Sequence, residues 1–173
     1  MTKAPAKKVA AKKAKKPAAK SAPKNPLPKR KAGVPCYWLM KSEPDAFSWD
    51  NLKAKGAEGE PWTGVRNHLA KRHLCAMRLG DLALFYHSNT GREAVGVVEV
   101  AREAYPDPTD PDGRWVCVDM RAVAPLPRPV PLAAMKAQPA LADLPLLRQS
   151  RLSVSPVGEA HWRHILHLGG WPG

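Results

Sequence analysis

Cys36-Tyr37-Trp38-Leu39-Met40-Lys41-Ser42-Glu43-Pro44 is the stretch on which the reading of this chain turns. Its first five residues are apolar or aromatic, and the first charge is Lys41. A short run of this composition predicts a buried strand over 36–41. Polar groups then arrive abruptly at the end of that strand, where sites often form.

Two more buried strands are predicted C-terminal to this stretch. Leu82-Ala83-Leu84-Phe85-Tyr86 is one, and Ala94 to Ala101 is the other, with Gly96 allowing a close backbone approach. Between the first two, Ser48-Trp49-Asp50-Asn51-Leu52 reads as an N-capped helical turn. Gly56 to Pro61 is expected as loop. Arg66 to Arg78 reads as a helix with Leu69, His73, Ala76 and Met77 on one stripe, ended by Gly80-Asp81. Tyr105 to Gly113 is a Pro/Asp/Gly connection. Trp115 to Val123 alternates, with Val116, Val118, Met120 and Ala122 on one side, as a half-exposed strand does. Pro129 to Leu147 is expected as short helical pieces broken by Pro139 and Pro145. Arg151 to Val154 is a short strand. Ser155 is expected to cap a helix with Pro156 at its first position, running to about Leu168 and ended by Gly169-Gly170. Four or five short strands with helices in the connections predict an α+β fold, a small mixed barrel.

The stretch N-terminal to Cys36 is of another kind. Residues 1–34 hold twelve Lys and Arg and no acid, whereas 35–173 hold 16 basic and 15 acidic residues. Nearly all of the net charge of +13 therefore sits on one end, which reads as an interaction tail rather than a charged fold surface. Met1, Val9, Leu27 and Val34 are its only larger apolar residues. Five prolines interrupt any helix. Such a segment cannot bury enough area to offset its backbone entropy. Disorder is expected over 1–34, and a domain over 35–170. The Ala-Lys-Lys-Pro pattern resembles the tails of linker-histone-like proteins.

Function classes narrow in the same way. No run of 18 apolar residues predicts a membrane span, and the N-terminus lacks the apolar core of a secretory signal. An intracellular place is expected, nucleoid or cytoplasmic in a bacterium and nuclear in a eukaryote. Cys36, Cys75 and Cys117 have no zinc-ligand spacing and are expected as buried thiols. No metal or cofactor is expected.

Three clusters carry candidate chemistry. The first is Tyr37 to Pro44. The second is Trp62-Thr63-Gly64-Val65-Arg66-Asn67, a loop entering a helix N-terminus, where free N–H groups favour anions or carbonyl oxygens. The third is Phe85-Tyr86-His87-Ser88-Asn89, a strand ending in hydrogen-bonding side chains. A planar base needs aromatic faces to stack on, and donors and acceptors for its edge. Each cluster also has a plainer reading. Trp38 and Phe85 are expected in the core more often than against a ligand. Lys41 and Glu43 can form a surface ion pair.

Taken in order, Tyr-Trp-Leu-Met-Lys-Ser-Glu-Pro, Trp-x-Gly-Val-Arg-Asn, Met-x-x-Gly-Asp and Phe-Tyr-His-Ser resemble the EVE domain family. Ala104-Tyr-Pro-Asp107 and Arg148-Gln-Ser-Arg-Leu-Ser-Val154 continue the likeness, which covers about residues 36–168. The resemblance implies a PUA-like fold, a curled barrel with helices at its openings, akin to YTH and ASCH domains. It implies a pocket for a modified base extruded from DNA or RNA. The residues it places there are Trp38, Lys41, Ser42, Glu43, Trp62, Val65, Arg66, Asn67, Tyr86, His87, Ser88, Arg151 and Ser153. The expected activity is binding, by a monomer, with the tail adding phosphate affinity. Two alternatives stand beside it. One is a hydrolase on a modified base, using Lys41 with Glu43 or His87. The other is a tail-driven chromosome-associated protein.

Overall fold

The computed structural model describes residues 26–172. The tail reading for residues 1–25 therefore lies outside the described residues. Six strands form one sheet in the order β2-β5-β4-β3-β1-β6. They are β1 (Tyr37–Ser42), β2 (Glu60–Pro61), β3 (Leu82–His87), β4 (Glu93–Pro106), β5 (Val116–Pro131) and β6 (Val154–Val157). β1 and β3 run parallel, with Tyr37 opposite Leu82 and Ser42 opposite His87. The other neighbours are antiparallel. The crossover from β1 to β3 carries α1 (Trp49–Ala54), β2 and α2 (His68–Ala76).

The continuous apolar runs over β1 and β3 follow from their place in the middle of the sheet, covered on both faces. Their side chains still alternate. Trp38, Met40, Ala83 and Phe85 enter one core cluster, with Trp49 and Leu52 of α1 and Ala70 and Leu74 of α2. Leu39, Leu84 and Tyr86 enter the other, with Trp162 and Ile165 of α5 (Glu159–Leu168). Gly96 of β4 lies under the Trp49 ring: a Cβ there would stand 2.4 Å from it. The expected close approach is thus a helix residue laid against bare backbone.

The sheet is curled. Helix α2 packs on both β5 and β6, which lie near opposite ends of the strand order. The ladder between β4 and β5 shifts register between Ala94 and Gly96, Val97 and Val98, Val100 and Arg102, and Arg102 and Tyr105. Such bulges bend strands and raise their twist. The curl encloses the first core cluster, as a PUA-like barrel requires.

Several expectations need correction. Among the described residues there are six strands, and β4 and β5 are 14 and 16 residues long rather than short. Tyr105 and Pro106 pair with Cys117 and Val116 instead of lying in a connection. Residues 129–131 belong to β5; the helical pieces begin at α3 (Leu132–Lys136) and continue at α4 (Pro145–Arg148). Ser155 and Pro156 lie in β6, and α5 starts at Glu159 with Gly158 at its cap. The reason is common to both prolines-in-strand cases. β6 is an edge strand, and β5 pairs with β2 only at Asp119 and Met120. An edge has no neighbour on one side to miss the proline N–H.

Cys36 and Cys117 are buried as expected, but Cys75 is exposed on α2. The last residues assigned to the tail are attached to the domain. Leu27 packs against the first core cluster, and Arg30 reaches the buried Asp81 at 2.6 Å.

Candidate functional site

Parallel pairing brings the C-terminal ends of β1 and β3 to the same rim of the sheet. The Ser88 N–H donates to the Ser42 carbonyl at 2.9 Å, extending the pairing past the strands. The chain then turns sharply: the Ala46 and Phe47 N–H groups both donate to the Glu43 carbonyl. The Ser42 hydroxyl closes this turn by donating to the Phe47 carbonyl at 2.6 Å. Ser48 caps α1 through a reciprocal capping box with Asn51. A rigid loop 42–49 results, standing at the rim.

Facing it is the segment that leaves β2. The Trp62 N–H donates to the Val118 carbonyl at 2.7 Å. Its indole is 8% exposed and meets Phe85 edge to face, with ring centroids 5.5 Å apart. Gly64 has a φ of +80°, open to glycine without steric cost. Its N–H donates to Asp107 at 2.9 Å. Asp107 also accepts from Arg66 and from Thr109. Burial alone would raise the Asp107 carboxyl, but these donors hold it well below the usual carboxylate range. A buried carboxylate in β4's extension thus pins the loop that carries Trp62.

A cleft of about 500 Å³ lies between the two segments. Lys41, Ser42, Glu43, Ala46 and Phe47 line one side, and Glu60, Pro61, Trp62, Thr63 and Gly64 the other. That volume falls within the roughly 300–1,000 Å³ of small-molecule sites. Its polar equipment is the Ser42 oxygen, the Thr63 hydroxyl, the Glu43 carboxylate and the Lys41 ammonium. Lys41 donates to the Ser150 carbonyl at 2.7 Å, and burial lowers its pKa.

The thirteen residues expected at one site divide. Lys41, Ser42, Glu43 and Trp62 line the cleft. Trp38 does not: it is fully buried, and its indole N–H donates to Asp81 at 3.0 Å. Val65 is core. Tyr86 lies in the second core cluster, on the opposite face of β3. Arg66 is spent on Asp107 and Thr109. Asn67 caps α2, its carbonyl accepting from the N–H groups of Leu69 and Ala70. His87 accepts the Trp49 N–H on Nε2 at 3.2 Å and stands edge to face with Phe85; burial lowers its pKa. Ser88 and Ser153 contribute backbone groups, Ser153 accepting from the Lys41 N–H. Arg151 lines a neighbouring cleft with Asn67. The Lys41–Glu43 ion pair is absent among the described residues, since Lys41 turns to Ser150.

Phe47, Glu60 and Thr63 are cleft residues that reading the sequence passed over. The buried anchors Asp81 and Asp107 stood in quoted motifs but were given no role. Phe47 and Thr63 stood inside or beside quoted motifs, so the available signal was position next to a strand end.

The chain matches the EVE domain family over residues 36–168. It is 37% identical over 164 residues to thymocyte nuclear protein 1 of Mus musculus, covering 76% of this chain and 73% of that one. A Rhodopseudomonas palustris protein solved by NMR is 58% identical, covering 80% of this chain and 95% of its own, with a TM-score of 0.76. The human thymocyte nuclear protein, crystallised in complex with DNA containing 5-methylcytosine, is 32% identical. It covers 80% of this chain and 99% of its own, with a TM-score of 0.73. With the family matched across the whole sheet and both core clusters, this chain belongs to the EVE domain family.

Proposed function

We propose that this protein binds nucleic acid and holds one modified base in the cleft between loop 42–49 and the Trp62 segment. The cleft itself carries the reading. It combines an aromatic wall of Trp62 and Phe47 with hydrogen-bonding groups from Ser42, Thr63 and Lys41, in a space of base size. The human relative in complex with 5-methylcytosine DNA supports it. Extruding a base costs a few kcal/mol, and stacking returns about 1–3 kcal/mol. The cleft is thus near balance on a duplex, and phosphate contacts elsewhere make up the affinity.

Hydrolysis has less support. His87 offers its acceptor nitrogen to Trp49, and Lys41 points to Ser150. Neither is placed as a free base beside the cleft.

The test is a binding screen of DNA and RNA oligonucleotides that differ in one modified base. At least one modification should bind more tightly than its plain counterpart. Trp62→Ala should lose about 1–3 kcal/mol, or 5- to 150-fold, on that ligand. It should lose much less on the unmodified one. Trp62 packs on Phe85, so circular dichroism must show that the variant stays folded. Thr63→Val, at an exposed position, should reduce the discrimination without touching the core. Equal affinities across the whole panel would end the proposal.

A further inference from the structure

The cleft does not end at Lys41. The Lys41–Ser150 bond joins it to a second cleft of about 340 Å³, lined by Asn67, Leu69 and residues 148–152. That cleft shares Arg148 and Gln149 with a groove of about 970 Å³ bounded by Pro26, Leu27, Pro28 and His161. Leu27 and Pro28 are shared in turn with a depression of about 410 Å³ lined by Arg30, Arg72 and Arg78. The four make up a path whose neighbours share lining residues or, between the first two, a hydrogen bond. It runs from the candidate cleft to Pro26, where the nine lysines of residues 1–25 join the domain.

The charge along this path is mainly positive: Glu43 and Glu60 stand at its cleft end and Asp143 in the broad groove, against Lys41, Arg30, Arg72, Arg78, Arg148 and Arg151. No Asp or Glu occurs from Pro61 to Gly80 or from Leu144 to Gly158, the two stretches that supply most of its walls. Asp143, at the edge of the broad groove, is engaged by His161 at 2.9 Å. Arg72, Arg148 and Arg151 are exposed along the path. Among the described residues none of the three has a carboxylate partner; Arg148 donates to the Ala142 carbonyl. Arg78 on the path, and Arg66, Arg114, Arg121 and Arg163 off it, each face an acid, while Arg92, Arg102 and Arg128 off the path have no carboxylate partner among the described residues. Arg72, Arg148 and Arg151 matter because a guanidinium fork that lacks a carboxylate is suited to phosphate oxygens.

We infer that this path is a phosphodiester track. A strand whose base occupies the cleft passes Arg151 and Arg148 and reaches Arg72 beside the root of the Lys-rich segment. The inference rests on the proposed function for where the base sits, but the track contacts are blind to modification.

The full-length protein tests it. Replacing Arg72, Arg148 and Arg151 together by Ala should make the log–log salt slope on duplex DNA shallower by about 0.9 for each lost contact, or 2–3 in all. On single-stranded RNA the change should be about 2. The ratio of affinities for modified and unmodified oligonucleotides should stay unchanged. Replacing the same three by Lys should keep the slope. A control removes equal charge from exposed positions off the path, with Arg92→Asn, Arg128→Ala and Lys136→Ala. Asn tolerates the positive φ of 50° at position 92. The control should leave the slope as it was. The track is overturned if the first variant keeps the native slope, or if the control flattens it equally. A wild-type protein that ignores modification would sink the base reading alone, while the slopes still decide the track.

Discussion

Asp81 shows how one residue joins parts of the chain that are far apart in sequence. It is 1% exposed and accepts five hydrogen bonds. Two come from Arg30, and the others from the Trp38 indole and the N–H groups of Cys36 and Arg78. Burial would raise its pKa, but these donors together bring it below the ordinary value. The consequence for stability has a definite sign. The folded chain takes up this proton at lower pH than the unfolded chain does. The stabilisation is therefore complete above the ordinary carboxylate pKa of about 4 and is lost as pH falls through the folded value. Asp107, depressed in the same direction, adds to the effect. Asp81→Ala leaves the Arg30 guanidinium with only the Ala76 carbonyl and three N–H donors without an acceptor, and should cost about 3–5 kcal/mol in urea unfolding at neutral pH. Asp81→Asn should cost less and should weaken the dependence of stability on pH between about 5 and 3. An unchanged dependence would place the acid sensitivity in other carboxylates.

At the scale of elements, the lesson lies in what a motif residue does before it can do anything else. Asn67 sits in a motif that pointed to a ligand, and it has a full occupation as the cap of α2. Asn67→Ala should lower stability by about 1 kcal/mol, while Asn67→Asp keeps an acceptor and should be near neutral. Thermal unfolding of both distinguishes a cap from a base reader, which would lose ligand discrimination in both variants. The elements themselves were legible to different degrees. β1, β3 and the α1 cap were plain, because continuous apolar runs and a Ser at a helix start have few other meanings. α2 was legible within two residues at each end. β6 was misread because Ser155-Pro156 is also a helix start in isolation; only its pairing with Leu39 and Trp38 makes it a strand. β4 and β5 were read too short, because prolines that break a central strand are harmless along an edge. The site was legible where polar residues follow a buried strand, as at Lys41 and Ser42. It was not legible where side-chain direction decides. Tyr86 and His87 are adjacent in β3 and therefore point to opposite faces.

For the whole molecule, charge is divided from fold. Residues 35–173 are close to neutral, and the excess lies N-terminal to them. The domain sets Arg72, Arg148 and Arg151 along one path, whereas the nine lysines of residues 1–25 carry charge with no acid among them. Sequence-blind phosphate binding should follow this division. If half of those lysines meet phosphates, about four counterions are released on duplex DNA, and the log–log salt slope includes about −4 from this segment. Between 50 and 200 mM salt that amounts to a loss of affinity of roughly 200- to 300-fold. Removing residues 1–25 should flatten the slope by that amount and leave the shallower dependence set by Arg72, Arg148 and Arg151. The cut should stop before Leu27 and Arg30, because a longer deletion also removes the guanidinium that faces Asp81 and confuses stability with binding. The ratio of modified to unmodified affinity should survive the truncation, since no cleft residue is lost. A truncated protein that keeps its full salt slope would mean that the domain surface carries the phosphate affinity and the N-terminal lysines do not.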